Sequence, residues 1–377
     1  MGLNLGVIFM NIPPGLDELM VLYGVSYTQI SILITALVWS HALMQVPAGL
    51  MTDRLGIKFT LYACLILIIC GHILPLASPD LTLAVVGRII AGIGTGLSVA
   101  STMKLVALYA PKGRIGTYQA FFGGFFSIGS ILAYLFLPYL ISFRWQWVYI
   151  APLITCLPLL IMLGRLRLPP DRSDIAVSLH VGKVFRMREA WILGIYHALS
   201  FGSILTLGNW VPSLLSEVSH HTSAVHFAWG GALIMLISGI GRISGGFFLL
   251  RTAPLRIVNS SLVLLSVMYV GIFVVKLPVL VLVLALMAAW FASVNFGAIF
   301  HIASEVSSPD YYATLFGFIN FLANLGAVLF TIMFGVIKDS VGSFLWGFPV
   351  MALIVLTAYL SGRASLKKRL AHGHRPS

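Results

Sequence analysis

Long apolar stretches fill almost the whole of this 377-residue chain, and they limit the folds that it can adopt. Hydrophobic residues make up 59% of the sequence and charged residues only 9%, against roughly 45–50% and about 25% in soluble domains. With a mean hydropathy of +1.00, the chain has too little polar material to cover a water-exposed surface. Because a bilayer-crossing helix needs roughly 20 mainly apolar residues, the sequence predicts an all-α integral membrane protein.

Polar and Gly/Pro-rich breaks divide the chain into eleven full spans. We expect them near 28–50, 59–77, 82–109, 115–141, 147–164, 190–213, 223–250, 257–275, 279–304, 311–337 and 343–362. Residues 1–12 are also apolar, but the Pro-Pro-Gly sequence at 13–15 is expected to stop a helix there. This predicts a twelve-helix plan with an apparently truncated first helix. Either the start is misassigned or this helix is short; a signal peptide is disfavoured because the segment lacks a basic start.

Lysine and arginine residues concentrate on one side of this alternating plan. If the 50–60 loop is cytoplasmic, seventeen basic residues lie on that side, and only Arg144, Lys276 and Lys338 lie on the other. The positive-inside rule favours this orientation and a cytoplasmic C-terminus. The net charge of +12 therefore does not indicate nucleic-acid binding, since the charges lie in short loops. We expect a multi-pass protein of the bacterial inner membrane.

The longest polar stretch, 165–189, lies near the middle of the chain on the basic side. It predicts a six-helix bundle over 1–164, a cytoplasmic linker over 165–189, a second six-helix bundle over 190–363 and a basic tail over 364–377. We expect the protein to act as a monomer.

Four short motifs stand out in the sequence, three at predicted turns and one within a predicted helix. Residues 49–58 read GLMTDRLGIK, 88–96 read RIIAGIGTG, 111–116 read PKGRIG and 241–251 read GRISGGFFLLR. The glycines of the first motif permit a tight turn with close helix approach. The first motif resembles the major facilitator superfamily signature G-x-x-x-D-R-x-G-x-K/R, and the next two resemble further motifs of that family. The fourth is the second-half counterpart of the first, without its aspartate.

This resemblance implies two related six-helix halves and secondary active transport by alternating access. It also implies a gating role for Gly49, Asp53, Arg54, Gly56, Lys58 and Arg114. The span 115–141, the fifth when the partial first helix is counted, has no proline after Gly123-Gly124, which disfavours a drug antiporter. A nitrate porter is disfavoured because Arg242 lies toward the cytoplasmic end of the eighth span, where we expect it to snorkel toward the interface.

Polar side chains within the spans are candidate substrate ligands, since an ionisable group at mid-bilayer costs roughly 2.5–3.5 kcal/mol. Each has an alternative role in packing or helix–helix hydrogen bonding. The candidates are Arg88, His41, Gln45, Tyr118, Gln119, His197, Trp229, Asn295, Asn320 and Asn324. The glycines at 92, 94 and 96 instead indicate close helix packing.

All eleven acidic residues are expected at helix ends or in loops, so no carboxylate is expected at mid-membrane. We therefore expect the substrate to be a small organic anion or a polar neutral metabolite, with coupling to a proton, as in symport, left open. A non-transporting sensor, receptor or assembly factor is the alternative. The sequence shows no enzyme-like nucleophile with a base, no metal spacing and no cofactor motif. The expected partners are the small-molecule substrate, a co-transported proton and the lipid bilayer.

Overall fold

The computed structural model describes residues 1–109, 115–166, 181–220, 224–307 and 312–373, and the regular structure within these ranges is helical. Among the described residues, twelve helical stretches are long and apolar enough to cross a membrane. This confirms the predicted all-α membrane architecture. The chain divides into two compact units, Met1–Val177 and Ser178–Ser377, each holding six of these described stretches.

The first unit contains seven described helices. They are α1 (Gly2–Phe9), α2 (Leu16–Tyr23), α3 (Tyr27–Leu55), α4 (Ile57–Ile73), α5 (Leu81–Tyr109), α6 (Ile115–Phe143) and α7 (Trp147–Arg165). A capping box begins α3: the Ser26 hydroxyl accepts from the Gln29 N–H, and the Gln29 side chain accepts from the Ser26 N–H.

The first span differs from the prediction. A 3-10 turn at Pro13–Gly15 connects α1 to α2, so that the span runs Gly2–Tyr23 instead of ending near residue 12. Proline is tolerated here because, at the first positions of a helical turn, its missing N–H would have no partner within the helix. As a consequence, Asp17 and Glu18 lie in the first turn of α2, inside a membrane span. The argument from missing carboxylates does not hold for this span.

Small residues bring α3 and α5 together, as the glycine pattern indicated. A side chain at Gly92 would overlap Ser40 and the backbone of Leu37, and one at Gly96 would meet the His41 carbonyl. The α3–α4 turn also needs a glycine, since Gly56 has φ +86°. Gly49 is different: it lies within α3, and a Cβ there would meet no described atom within 4 Å. Close approach at Gly49 is therefore not observed.

The second unit contains eight described helices. They are α8 (Val181–Arg186), α9 (Arg188–Val218), α10 (Ala228–Leu249), α11 (Pro254–Val274), α12 (Pro278–Val294), α13 (Phe296–Val306), α14 (Tyr312–Val341) and α15 (Gly347–Gly373). Helices α12 and α13 belong to one span, Pro278–Val306, which is interrupted at the single residue Asn295.

A carboxylate connects three elements at the end of α9. Glu217 accepts a hydrogen bond from Lys338 Nζ at 2.9 Å and from the Phe344 N–H at 3.1 Å. The Ser343 hydroxyl donates to the same carboxylate, and the Lys338 ammonium also lies 5.1 Å from the centre of the Phe344 ring. This network ties the ends of α9 and α14 to the turn before α15.

Candidate functional site

Contacts from three other helices meet at the interruption at Asn295. Asn295 is fully buried, and its amide nitrogen donates to Ser200 Oγ on α9 and Ser261 Oγ on α11, both at 2.9 Å. A side chain at Gly245 would overlap the carbonyl of Val294, so α10 approaches the end of α12 closely. These contacts hold the interruption in place and position the first turns of α13.

A basic pair lies beside those turns. His197 of α9 is 3% exposed, and its ring centre lies 5.5 Å from that of Phe296. The guanidinium carbon of Arg242 lies 5.0 Å from the centre of the same Phe296 ring, and its charge is close enough to act on His197. Arg242 was expected to snorkel to the interface, but it contacts this ring instead, because α10 passes directly beside the interrupted span.

Both basic side chains keep an unused nitrogen. Arg242 Nε and His197 Nδ1 are buried, and neither has a hydrogen-bond partner among the described residues. Over the same ranges, no carboxylate forms a salt bridge with Arg242. A cation within a membrane span that lacks a counter-charge is a favourable place for an anion.

A series of aromatic rings adjoins this pair. The Phe300 ring lies 5.2 Å from that of His197 and 4.9 Å from that of Phe296. The Phe316 ring on α14 lies 4.4 Å from Phe300. One turn further along α14, the side chain of Asn320 faces His197 and donates to the Phe316 carbonyl at 3.1 Å.

We call these six residues the basic–aromatic cluster: His197, Arg242, Phe296, Phe300, Phe316 and Asn320. Of the predicted ligands, the structure brings His197 and Asn320 together here. Arg242 and the three phenylalanines were not among the predicted ligands. Arg242, Phe296 and Phe300 come together beside the interruption at Asn295. The GRISGG motif that contains Arg242 marks this position in the sequence, but as the counterpart of the 49–58 motif it indicates a turn and not a ligand.

A second polar group surrounds His41 in the first unit. His41 Nδ1 lies 3.1 Å from Thr95 Oγ1, and its Nε2 lies 3.2 Å from the side-chain nitrogen of Gln45. The ring of Phe9 packs edge-on against the imidazole at 5.1 Å, and Phe126 packs against Phe9 at 5.6 Å. Both ring nitrogens of His41 thus have polar neighbours, while Gln45 is half-buried.

Arg88 is buried, with 1% exposure, and its hydrogen bonds go to the protein. Its Nη1 donates to the Ile8 carbonyl and to Asn11 Oδ1, both at 2.8 Å. Its Nη2 donates to the Ile34 carbonyl at 3.1 Å, and Nε donates to the Leu33 carbonyl at 3.4 Å. The guanidinium therefore joins α5 to the first span and to α3, a geometry that favours a structural role over a substrate contact.

The other predicted ligands are not members of the basic–aromatic cluster, or their side chains are outside the described part of the chain. Trp229 is 44% exposed and donates to the His226 carbonyl at 2.9 Å. Asn324 is buried and donates to the Asn320 carbonyl at 2.9 Å. Tyr118 and Gln119 lie on α6, but their side chains are outside the described part of the chain.

Only part of the predicted gating set can be placed. Gly56 provides the turn between α3 and α4, and Lys58 Nζ donates to the Leu166 carbonyl after α7 at 3.1 Å. Arg54 is exposed at the end of α3. The Asp53 side chain and all of Arg114 lie outside the described residues. Among those that are described, no group of three histidine, cysteine, aspartate or glutamate residues could hold a metal ion.

Several curated transporters are similar to this chain in sequence. The hexuronate transporter of Escherichia coli (strain K12) is 22% identical over 390 residues, which cover 91% of this chain and 88% of that protein. The 2-nitroimidazole transporter of the same strain is 24% identical over 368 residues and covers 95% and 91% respectively. The MFS efflux transporter inpD of Emericella nidulans is 25% identical over 175 residues; this match spans 46% of this chain and about a third (32%) of that relative.

A solved transporter structure and a family model also match this chain. The solved structure of a D-xylose–proton symporter matches with a TM-score of 0.75 at 15% identity, covering 95% of this chain and 94% of that one. The family model described as Major Facilitator Superfamily matches residues 1–331. The matched proteins are transporters and not enzymes. The resemblance of the sequence motifs is thereby confirmed, and the chain belongs to the Major Facilitator Superfamily of secondary membrane transporters.

Proposed function

We propose that this protein is a secondary active transporter of a small organic anion, working by alternating access, and that the basic–aromatic cluster binds the anion. The observation that carries the proposal is the pair of buried, unused nitrogens, Arg242 Nε and His197 Nδ1, which lack partners among the described residues. Both side chains contact the same ring, that of Phe296.

Electrostatics favour an anion at this position. An arginine inside a membrane span is costly unless a group of opposite charge or a set of carbonyl oxygens compensates it. Arg88 shows the second solution, because carbonyls surround its guanidinium. The Nε atom of Arg242 has no partner within the described ranges, so a bound carboxylate would supply an opposite charge through strong charge-assisted hydrogen bonds.

The relatives provide independent support for a small, polar solute. Hexuronate, named for one relative, is a sugar acid that carries a carboxylate. The other relative is named for 2-nitroimidazole, a small planar heterocycle. Both substrates have a size that a site between a few side chains can enclose.

Transport measurements on the purified protein test this proposal. In proteoliposomes, labelled organic anions should be taken up faster than labelled cations of similar size, and Arg242→Gln should abolish anion uptake. Arg256→Gln is the matched control, since Arg256 is exposed in the first turn of α11. Preferred uptake of cations, or unchanged anion uptake by Arg242→Gln, would overturn the proposal.

Proton coupling is part of the same proposal, and Glu18 is the residue that we assign to it. One oxygen of this carboxylate, Oε2, is buried with no hydrogen-bond partner in the described part of the chain. Glu18 also lies within the first span, beside Asp17. An inward proton gradient should accelerate anion uptake by the wild type, and Glu18→Gln should remove this acceleration, whereas Asp17→Asn should keep it. Equal acceleration in Glu18→Gln would exclude Glu18 as the proton carrier.

A further inference from the structure

We infer that the basic–aromatic cluster selects a monocarboxylate with a flat, apolar body, and discriminates against polyhydroxylated acids of the hexuronate type. This inference rests on the proposed function, because it names the class of anion that the same site takes. It departs from the substrate for which one relative is named, since hexuronate is a sugar acid.

The unused nitrogens define the charged end of the ligand. Arg242 Nε and His197 Nδ1 are buried, unsatisfied among the described residues, and adjacent to one ring. The guanidinium N–H is a donor, and the imidazole nitrogen becomes one in the protonated ring or the Nδ1-H tautomer. A carboxylate offers two acceptor oxygens to these groups, whereas an amide of the same shape offers one oxygen and no charge.

The surroundings of this pair define the body of the ligand. Three rings, Phe296, Phe300 and Phe316, form a continuous aromatic series with centre-to-centre distances of 4.9 and 4.4 Å. Faces and edges of such rings favour another flat, apolar group. A benzoate-like ligand bound here would place its carboxylate at the basic pair and its ring against the phenylalanines.

Hydroxyl groups would find few partners in the same place. Within the cluster, Asn320 is the neutral polar side chain, and its amide nitrogen already donates to the Phe316 carbonyl. The amide nitrogen of the neighbouring Asn295 is committed to Ser200 and Ser261. Because a buried hydroxyl without a partner weakens binding by about tenfold or more, a sugar acid with several hydroxyls should bind much more weakly than benzoate.

Equilibrium binding of radiolabelled benzoate to the purified full-length protein in detergent tests the inference. We expect saturable binding that unlabelled benzoate displaces, with glucuronate, benzamide and benzylamine each at least about tenfold weaker as competitors. Glucuronate is the polyhydroxylated acid, benzamide the uncharged analogue and benzylamine the cation. The binding assay avoids the passive permeation of neutral benzoic acid through liposomes.

Variants then assign the binding to the cluster. Arg242→Gln should weaken benzoate binding by about 10- to 100-fold, and Arg242→Lys by less, because the charge is kept. Phe300→Leu and Phe316→Leu should each weaken it by about two- to tenfold. The controls are Arg256→Gln and Phe247→Leu, which change exposed side chains. Size-exclusion chromatography and thermal unfolding check that each variant is folded.

The outcomes separate this inference from the proposed function. If glucuronate binds as tightly as benzoate, or benzoate does not bind saturably, the selectivity for an apolar body is wrong, while anion uptake in proteoliposomes can still succeed. If benzamide competes as strongly as unlabelled benzoate, the site does not recognise the carboxylate and that part of the inference is wrong. If benzylamine is preferred and cations are taken up, both the inference and the proposed function fail. Unchanged benzoate binding in Arg242→Gln would place the ligand elsewhere.

Discussion

Replacing Arg88 by leucine should lower the free energy of unfolding by about 2–6 kcal/mol. The side chain is 1% exposed and donates four hydrogen bonds, two of which go to Ile8 and Asn11 in the first span. The other two go to consecutive carbonyls of α3. Hydrogen bonds inside membrane proteins contribute about 0.6–1.5 kcal/mol each, and four of them give the range stated.

Reversible unfolding in mixed detergent–SDS micelles measures this loss. Arg144→Leu is the matched control: Arg144 is exposed directly after α6, and its replacement should change stability by less than about 0.5 kcal/mol. Arg88→Lys should be intermediate, since an ammonium on a single stem cannot reach the first span and α3 together.

A substrate-binding measurement can distinguish a structural role of Arg88 from a role as a substrate ligand. Suppose that the free energy of unfolding of Arg88→Leu lies within about 1 kcal/mol of the wild-type value but that the variant no longer binds or transports any anion. The four hydrogen bonds would then not be the main role of this residue. Arg88 would then be a substrate ligand, as the sequence alone allowed. Loss of stability, with ligand affinity retained in the fraction that stays folded, supports the structural role.

Substitutions at three further contacts can be measured by the same unfolding assay. Glu217→Gln should cost about 1 kcal/mol, because the pair with Lys338 is partly exposed; a double-mutant cycle with Lys338→Gln should show favourable coupling, and additivity would exclude it. Gly92→Val should strongly destabilise the fold by separating α3 from α5, whereas Gly49→Ala should leave stability unchanged or raise it by up to about 1 kcal/mol; equal effects would contradict the packing geometry. Asn295→Leu should cost about 1–3 kcal/mol by leaving two serine hydroxyls without their donor, and a stabilised variant would show that the interruption does not need this amide.

Much of the architecture could be predicted because hydropathy reports directly on what crosses a bilayer. The eleven full spans follow from apolar length alone, and the 49–58 and 88–96 motifs indicated the family. The first span could not be predicted in full. Helix α1 does end before Pro13 and Pro14, as expected, but a second helix continues the same span to Tyr23. Inside a helix, proline removes an N–H donor and its ring clashes with the preceding turn. Pro13 and Pro14 instead stand at the start of a 3-10 turn, after which a new helix begins.

The candidate site was harder to predict because its members come from four helices distant in sequence. His197 and Asn320 were identified as polar residues in apolar segments, which is a local property. Whether Arg242 turns toward lipid headgroups or toward a ring depends on where α13 lies, and this in turn depends on Asn295. Likewise, nothing near Arg88 in the sequence indicates that the carbonyls around it come from the first span and α3.

The hydrogen-bond partners of Asn295 are synthesised before Asn295 itself, and this order matters for insertion into the membrane. Ser200 and Ser261 both precede Asn295, so the helices that carry them are synthesised before the span that needs them. Arg88 is in the same situation, since its acceptors at Ile8, Asn11 and Leu33 all come earlier in the chain. An amide or a guanidinium that enters the membrane can thus form its hydrogen bonds at once, because the groups that accept them have already been synthesised.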